Sequence, residues 1–197
     1  KVGGSVMAVM EAIQTQRVQV PAGGSHIEFT GFPSTYRNLQ LRVSTHTVDT
    51  GASEDHLEIR FAITGSYSWQ TGGTTYTAHG CGAYNGNNVT TESYNGSGGA
   101  TITCGRRGFA GTYAGTYEQY GRGFAASVID IADYSNTTRH KTVRTMSLGW
   151  SSGSRGVVGV HSGIFKDSSA ITGVQIYARS GAYLAMGTIA TLYGMNS

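Results

Sequence analysis

Along much of this chain apolar side chains recur at every second position, and where that rhythm fails the composition changes with it. Residues 39–46, LQLRVSTH, set Leu39, Leu41 and Val43 against Gln40, Arg42 and Ser44, and residues 57–63, LEIRFAI, set Leu57, Ile59, Phe61 and Ile63 against Glu58, Arg60 and Ala62. A period of two puts alternate side chains on opposite sides of a pleated strand, so both segments are predicted as strands with one wet face. Residues 16–33, QRVQVPAGGSHIEFTGFP, carry Val18 and Val20, a Pro-Ala-Gly-Gly turn, then Ile27 and Phe29 before a Gly-Phe-Pro stop, which predicts a hairpin. After Gly123 the strand pattern returns over 127–132, 143–148, 157–165, 171–178 and 184–193, separated by Gly, Ser or Asn turns. About nine strands follow, with no amphipathic helix between them to carry a parallel crossover, so the expected fold is all-β: an antiparallel sandwich of jelly-roll type.

Two segments break the rhythm. Residues 1–13, KVGGSVMAVMEAI, place Val6, Met7, Val9, Met10 and Ile13 in a pattern compatible with a short helix or an adhesive arm, so residues 1–24 are expected to be an attachment arm with a first strand, and residues 25–197 the sandwich domain. Residues 65–123 hold 15 of the 30 glycines and seven of the twelve tyrosines with little apolar alternation, which predicts a long loop insertion.

Composition narrows the function. At 197 residues the chain suffices for one domain with a core of its own, and its 13% charged residues with 30 Gly favour strands and turns over helices. No run of eighteen apolar residues and no charged-then-apolar leader is present, so neither membrane insertion nor a signal peptide is expected. The formal charge of +3 is spread along the chain instead of forming a stripe, which argues against nucleic acid as a partner. Cys81 and Cys104 belong to no CxxC pair and have no zinc-ligand spacing, so no structural metal is expected and free thiols are favoured over a disulfide.

Candidate chemistry is sparse. Residues 127–142, SVIDIADYSNTTRHKT, bring Asp130, Asp133 and His140 within eleven positions, but strand alternation puts Ser127, Ile129 and Ile131 on one face and Val128 and Asp130 on the other. Asp133, Ser135 and Asn136 are residue types that bond their own backbone in turns, so the stretch reads as strand, turn and strand. GWSSG, from Gly149, matches the nucleophile-elbow string around Ser151, yet no helix follows, and GRGFAA, from Gly121, enters a strand where a dinucleotide fingerprint would open a helix. His46, Asp49, Glu54, Asp55 and His56 cluster in what reads as a solvated loop. No catalytic residue, metal ligand or cofactor is predicted. The strongest signal is aromatic: Tyr67, Trp69, Tyr76, Tyr84, Tyr94, Tyr113, Tyr117 and Tyr120 are interleaved with Gly, Ser, Thr and Asn. Tyrosine offers large contact area with few rotors to freeze, and Ser and Asn supply adaptable hydrogen bonds, so these residues are candidates for contact with a glycan or with a neighbouring subunit.

Several segments taken in order resemble a β-sandwich module of tailed-bacteriophage structural proteins: IEFTGFPSTYRNLQLR from Ile27, LEIRF from Leu57 with YSW from Tyr67, IDIADYSNTTRHKT from Ile129, SGIFKDSSAITGVQI from Ser162 and GTIATLYGM from Gly187. Two places depart from the module's pattern. Residues 62–68 read AITGSYS where an Asn-Gly-Asp…Asn-Tyr-Ser loop is common, and Phe165 stands where Trp is common. The resemblance implies a non-enzymatic virion component, decorating the capsid or forming part of a tail fibre, assembled in the host cytoplasm. It also implies a homotrimer attached to other virion proteins, with host cell-surface carbohydrate as a partner in the alternative, receptor-binding reading.

Overall fold

The computed structural model describes residues 9–19, 24–48, 54–66, 68–72, 74–84, 88–94, 101–113, 125–151, 155–179 and 181–196. These hold fourteen strands: β1 (Val9–Arg17), β2 (His26–Thr30), β3 (Asn38–Thr45), β4 (Thr47–Val48), β5 (Glu54–Ile63), β6 (Tyr76–Tyr84), β7 (Asn88–Tyr94), β8 (Ile102–Tyr113), β9 (Ala125–Ile131), β10 (Lys141–Ser151), β11 (Arg155–Phe165), β12 (Ile171–Ala178), β13 (Tyr183–Leu184) and β14 (Ile189–Asn196). One sheet has the order β1-β14-β3-β9-β10-β11-β6-β7, and the other the order β13-β4-β8-β5-β12-β2. All pairings are antiparallel except the two-residue contact of β4 with β8. The chain is an all-β sandwich, as its alternation predicts.

The alternation fixes which side chains meet between the sheets. Leu39, Leu41 and Val43 of β3, Ile59 and Phe61 of β5, Ile129 and Ile131 of β9 and Val174 and Ile176 of β12 are buried in one core with Phe29 and Leu192. Phe61, Tyr76 and Phe165 form its aromatic centre, with ring centroids 5.1 to 6.1 Å apart. The 127–142 stretch is the predicted strand, turn and strand, with Val143 registered against Ile131 and Arg144 against Asp130.

Three expectations are corrected. Residues 9–17 form neither a helix nor a free arm: β1 pairs along its length with β14, and Ile13 sits where the register shifts, packing against the core. Residues 16–33 are no hairpin, because β1 belongs to the large sheet while β2 pairs with β12 in the small one. The 65–123 segment is no loop insertion. It supplies β6, β7 and β8; the inward positions of β6 pass from Tyr76 and Ala78 to Gly80 and Gly82, where apolar periodicity is lost, and Gly80 lies under the ring of His161 with no room for a Cβ, as Gly163 of β11 has none under Ile102 of β8. β8 can therefore pass close beneath β10 and β11.

A buried cation ties one end of the sandwich together. The Lys141 side chain is fully buried, and its Nζ donates to the carbonyl oxygens of Arg139 (3.0 Å), Asp167 (3.3 Å), Ser168 (2.6 Å) and Ser169 (2.5 Å). Burial lowers its pKa from the ordinary value, and the nearby Asp167 charge opposes that shift. The carbonyl cage links the turn before β10 to the segment before β12.

Candidate functional site

The two outer sheet faces differ in chemistry. On the small sheet, β12 places Gln175 between Glu28 and Arg60, and Tyr177 between His26 and Glu58. Gln175 donates through Nε2 to Glu28 and accepts from Arg60 Nε; His26 Nε2 lies 3.1 Å from Glu28. Glu58 is 7% exposed, accepts from Thr101 Oγ1, and lies 3.4 Å from Arg179 Nε. The Arg60 guanidinium covers the Tyr177 ring at 4.8 Å, which is cation–π geometry. Glu28 and Glu58 are both engaged by neighbouring segments, so the ladder pins strand register and presents a fixed polar surface. Trp69 borders it: a Cβ on Gly173 would lie 3.1 Å from the indole, so the absent side chain lets the ring rest against the sheet.

On the large sheet, polarity crosses from one face to the other. In the inward row Leu41, Ile129, Thr145, His161 and Gly80, read from β3 to β6, apolar side chains give way to polar and small ones. The next inward row, Val43, Ser127, Ser147, Gly159 and Gly82, does the same. Outward the trend reverses: Arg42, Val128, Met146, Val160 and Cys81 form one row, and Ser44, Ala126, Leu148, Val158 and Ala83 the next. Met146, Leu148, Val158, Val160 and Ile164 are exposed by 43% to 60%. An open depression of about 510 Å³, lined by His79, Cys81, Thr91, Val160 and Ser162 among others, flanks this strip.

The acidic residues of the 127–142 hairpin do not share a site. Asp130 accepts from Gln40 Nε2 at 2.8 Å and has Arg144 at 3.9 Å. Asp133 holds the turn with φ of 49°, its backbone N–H donating to Asn38 Oδ1 and its carboxylate 3.4 Å from Arg37. Asn136 accepts from the backbone N–H groups of Thr138 and Arg139, and His140 points to solvent. Trp150 and Ser151 of the GWSSG string end β10 and pair with Gly156 and Arg155, so that string is a strand end. Glu54, Asp55 and His56, expected in a loop, open β5, while Asp49 lies outside the described residues.

The aromatic candidates scatter. Tyr76 is a core residue: fully buried, its hydroxyl accepts from the Phe61 N–H and donates to the Gln70 carbonyl, and burial pushes its pKa far above the ordinary value. It cannot contact a ligand. Tyr84, Tyr94 and Tyr113 lie on β6, β7 and β8, not in loops, and Tyr67, Tyr117 and Tyr120 lie outside the described residues. Of the arm candidates, Val9, Met10 and Ile13 belong to β1, and Val6 and Met7 lie outside the described residues. Met10 is exposed, its sulfur 3.5 Å from Arg42 Nη2. Both cysteines are free, Cys81 exposed and Cys104 buried. The outward apolar strip was not visible in the sequence, although one signal existed: in β10 and β11 apolar residues occupy both parities, Val143 beside Met146 and Leu148, and Phe165 beside Ile164. No protein-family model matches the chain, and a search of the curated proteins finds no match.

Proposed function

We propose that this chain is a non-enzymatic structural protein on the exterior of a tailed-phage virion, decorating the capsid or forming part of the tail, and assembled in the host cytoplasm. The observation that carries the reading is the exposed apolar strip on β10 and β11, a surface suited to protein contact, on a sandwich whose described carboxylates are engaged in structural pairs. Strand order adds support: β1-β14-β3-β9 in one sheet and β2-β12-β5-β8 in the other follow the succession of a jelly roll, with β10, β11, β6 and β7 extending the first. The resemblance of five ordered segments to phage sandwich modules points the same way. β1, at the sheet edge with one side unpaired among the described residues, is the natural attachment element for other virion proteins. Cryo-electron microscopy of purified particles tests this: density for the sandwich at capsid lattice points or along the tail is expected, and absence of the chain from purified virions overturns it.

A second reading, host-surface glycan binding, is favoured by Trp69 beside the fixed polar ladder of the small sheet. Glycan-array binding that Trp69→Ala abolishes is the expected result; an array without signal removes this reading.

A further inference from the structure

The strip on β10 and β11 inverts the usual pattern of a half-buried strand. Thr145, Ser147 and His161 are buried beneath β8, while Met146, Leu148, Val158, Val160 and Ile164 face outward. Met146 and Val160 are directly opposite each other, as are Leu148 and Val158, so these four side chains form one contiguous patch on a sheet face, with Ile164 set apart from it by the Arg144–Ser162 pair. Antiparallel sheets normally keep their outward row polar.

We propose that this face packs against the same face of a second copy of the chain, giving a two-fold dimer. Three observations select that occupant. First, four contiguous apolar side chains, each more than half exposed, supply the kind of apolar centre that a standard interface of ~800 Å² per partner buries. Second, the centre of the patch carries no charge: Ala83, Cys81 and Ala126 continue it on the adjoining strands, and the charged groups described around it are Arg144 and Asp130, of opposite sign at one end, and Arg42 beyond Val128 at one side. An uncharged patch bounded by both signs is self-complementary, whereas an acidic or basic partner would find nothing at its centre to pair with. Third, two antiparallel sheet faces stack readily at about 10 Å with interdigitating side chains, which is the packing these β-branched and long apolar residues suit.

The dimer draws on the same strip that supports the virion reading, but it concerns what covers that strip and not where the protein is located. A monomeric chain found on particles overturns the dimer and leaves the location; a dimer absent from particles does the reverse. The test is sedimentation of the 197-residue chain at micromolar concentration. A mass of twice 20.7 kDa is expected for the unaltered protein. Leu148→Arg with Val160→Arg sets four arginines against one another across the two-fold, and is expected to raise the dissociation constant at least about 100-fold and return the mass to 20.7 kDa. The milder pair Met146→Gln and Val160→Thr, which keeps the strands should the arginine variant fail to fold, is expected to weaken the dimer about tenfold. Gln16→Arg, on the exposed side of β1, should leave the mass at the dimer value. The proposal is overturned by a monomer mass for the unaltered chain, by three times 20.7 kDa, the trimer implied by the resemblance, or by a dimer that either variant leaves intact while its circular dichroism stays native.

Discussion

The large sheet is two regions joined at β10. From β14 to β9 it buries Leu192, Leu41, Val43, Ile129 and Ile131 and shows water residues such as Arg42 and Asp130. From β10 to β6 it buries Val143, Phe165, Tyr76 and Ala78 at one end only, and along the rest of its length it buries Thr145, Ser147, Gly159 and His161 and shows water Met146, Leu148, Val158 and Val160. The first region is stabilised by its own interior; the second encloses small and polar groups under β8 and keeps its apolar surface for an external contact. Hydrophobic side chains therefore do different jobs in the two regions, and substitutions of similar size should separate them.

The largest effect is expected in the aromatic centre. Phe61→Ala removes a ring that packs against both Tyr76 and Phe165, and should cost about 3–5 kcal/mol in urea unfolding, while Leu148→Ser, an apolar loss on the outward strip, should cost the monomer less than about 1 kcal/mol. Equal losses would break the comparison. Next comes the junction itself. Lys141→Met leaves four buried carbonyls without their shared donor and should cost about 2–4 kcal/mol by the same measurement, although the apolar replacement fills nearly the same volume.

Stability against pH should report on buried titratable groups at both ends of the scale. Burial holds the phenols of Tyr76, Tyr134 and Tyr177 above the ordinary 10.0 in the folded chain. Above pH 10 the unfolded chain then loses protons that the folded chain keeps, so this contribution is intact below pH 10 and lost as the pH rises beyond it. Burial lowers the pKa of His46 below 6.5, so the unfolded chain binds a proton first as the pH drops, and melting temperature should fall below pH 6.5 as well. Melting curves that stay flat across both limits would contradict these burials.

The smallest effect sharpens the comparison from inside the second region. The Thr145 hydroxyl is buried without a hydrogen-bond partner, so Thr145→Val should raise unfolding stability by about 1 kcal/mol, a rare case of a core substitution that stabilises.

Much of the first region, and β5 of the small sheet with it, was legible in the sequence, because in β3, β5 and β9 apolar side chains concentrate on one parity, and a strand with such a pattern has one way to face a core. The 127–142 turn was legible for a related reason: Asp133 and Asn136 make their hydrogen bonds locally, within reach of sequence spacing. The remainder was not. β6 was read as loop because Gly80 and Gly82 leave no periodic signature, and Tyr76 was taken for a contact residue because nothing near it in the chain announces Phe165, its stacking partner 89 positions on.

By itself, then, the sequence determined the class of the protein: short strands, no crossover helices, a two-sheet core, and acidic residues engaged at turns and on faces. Only the tertiary structure decided which side of β10 and β11 is the inside, since both parities there carry apolar groups and the choice is made by distant partners. Phe165 and Val143 are drawn into the aromatic centre and the core, β8 needs the glycines beneath it, and a strand turned to satisfy those contacts must present Met146, Leu148, Val158 and Val160 to the outside. The period of two allows no side chain an independent choice of face.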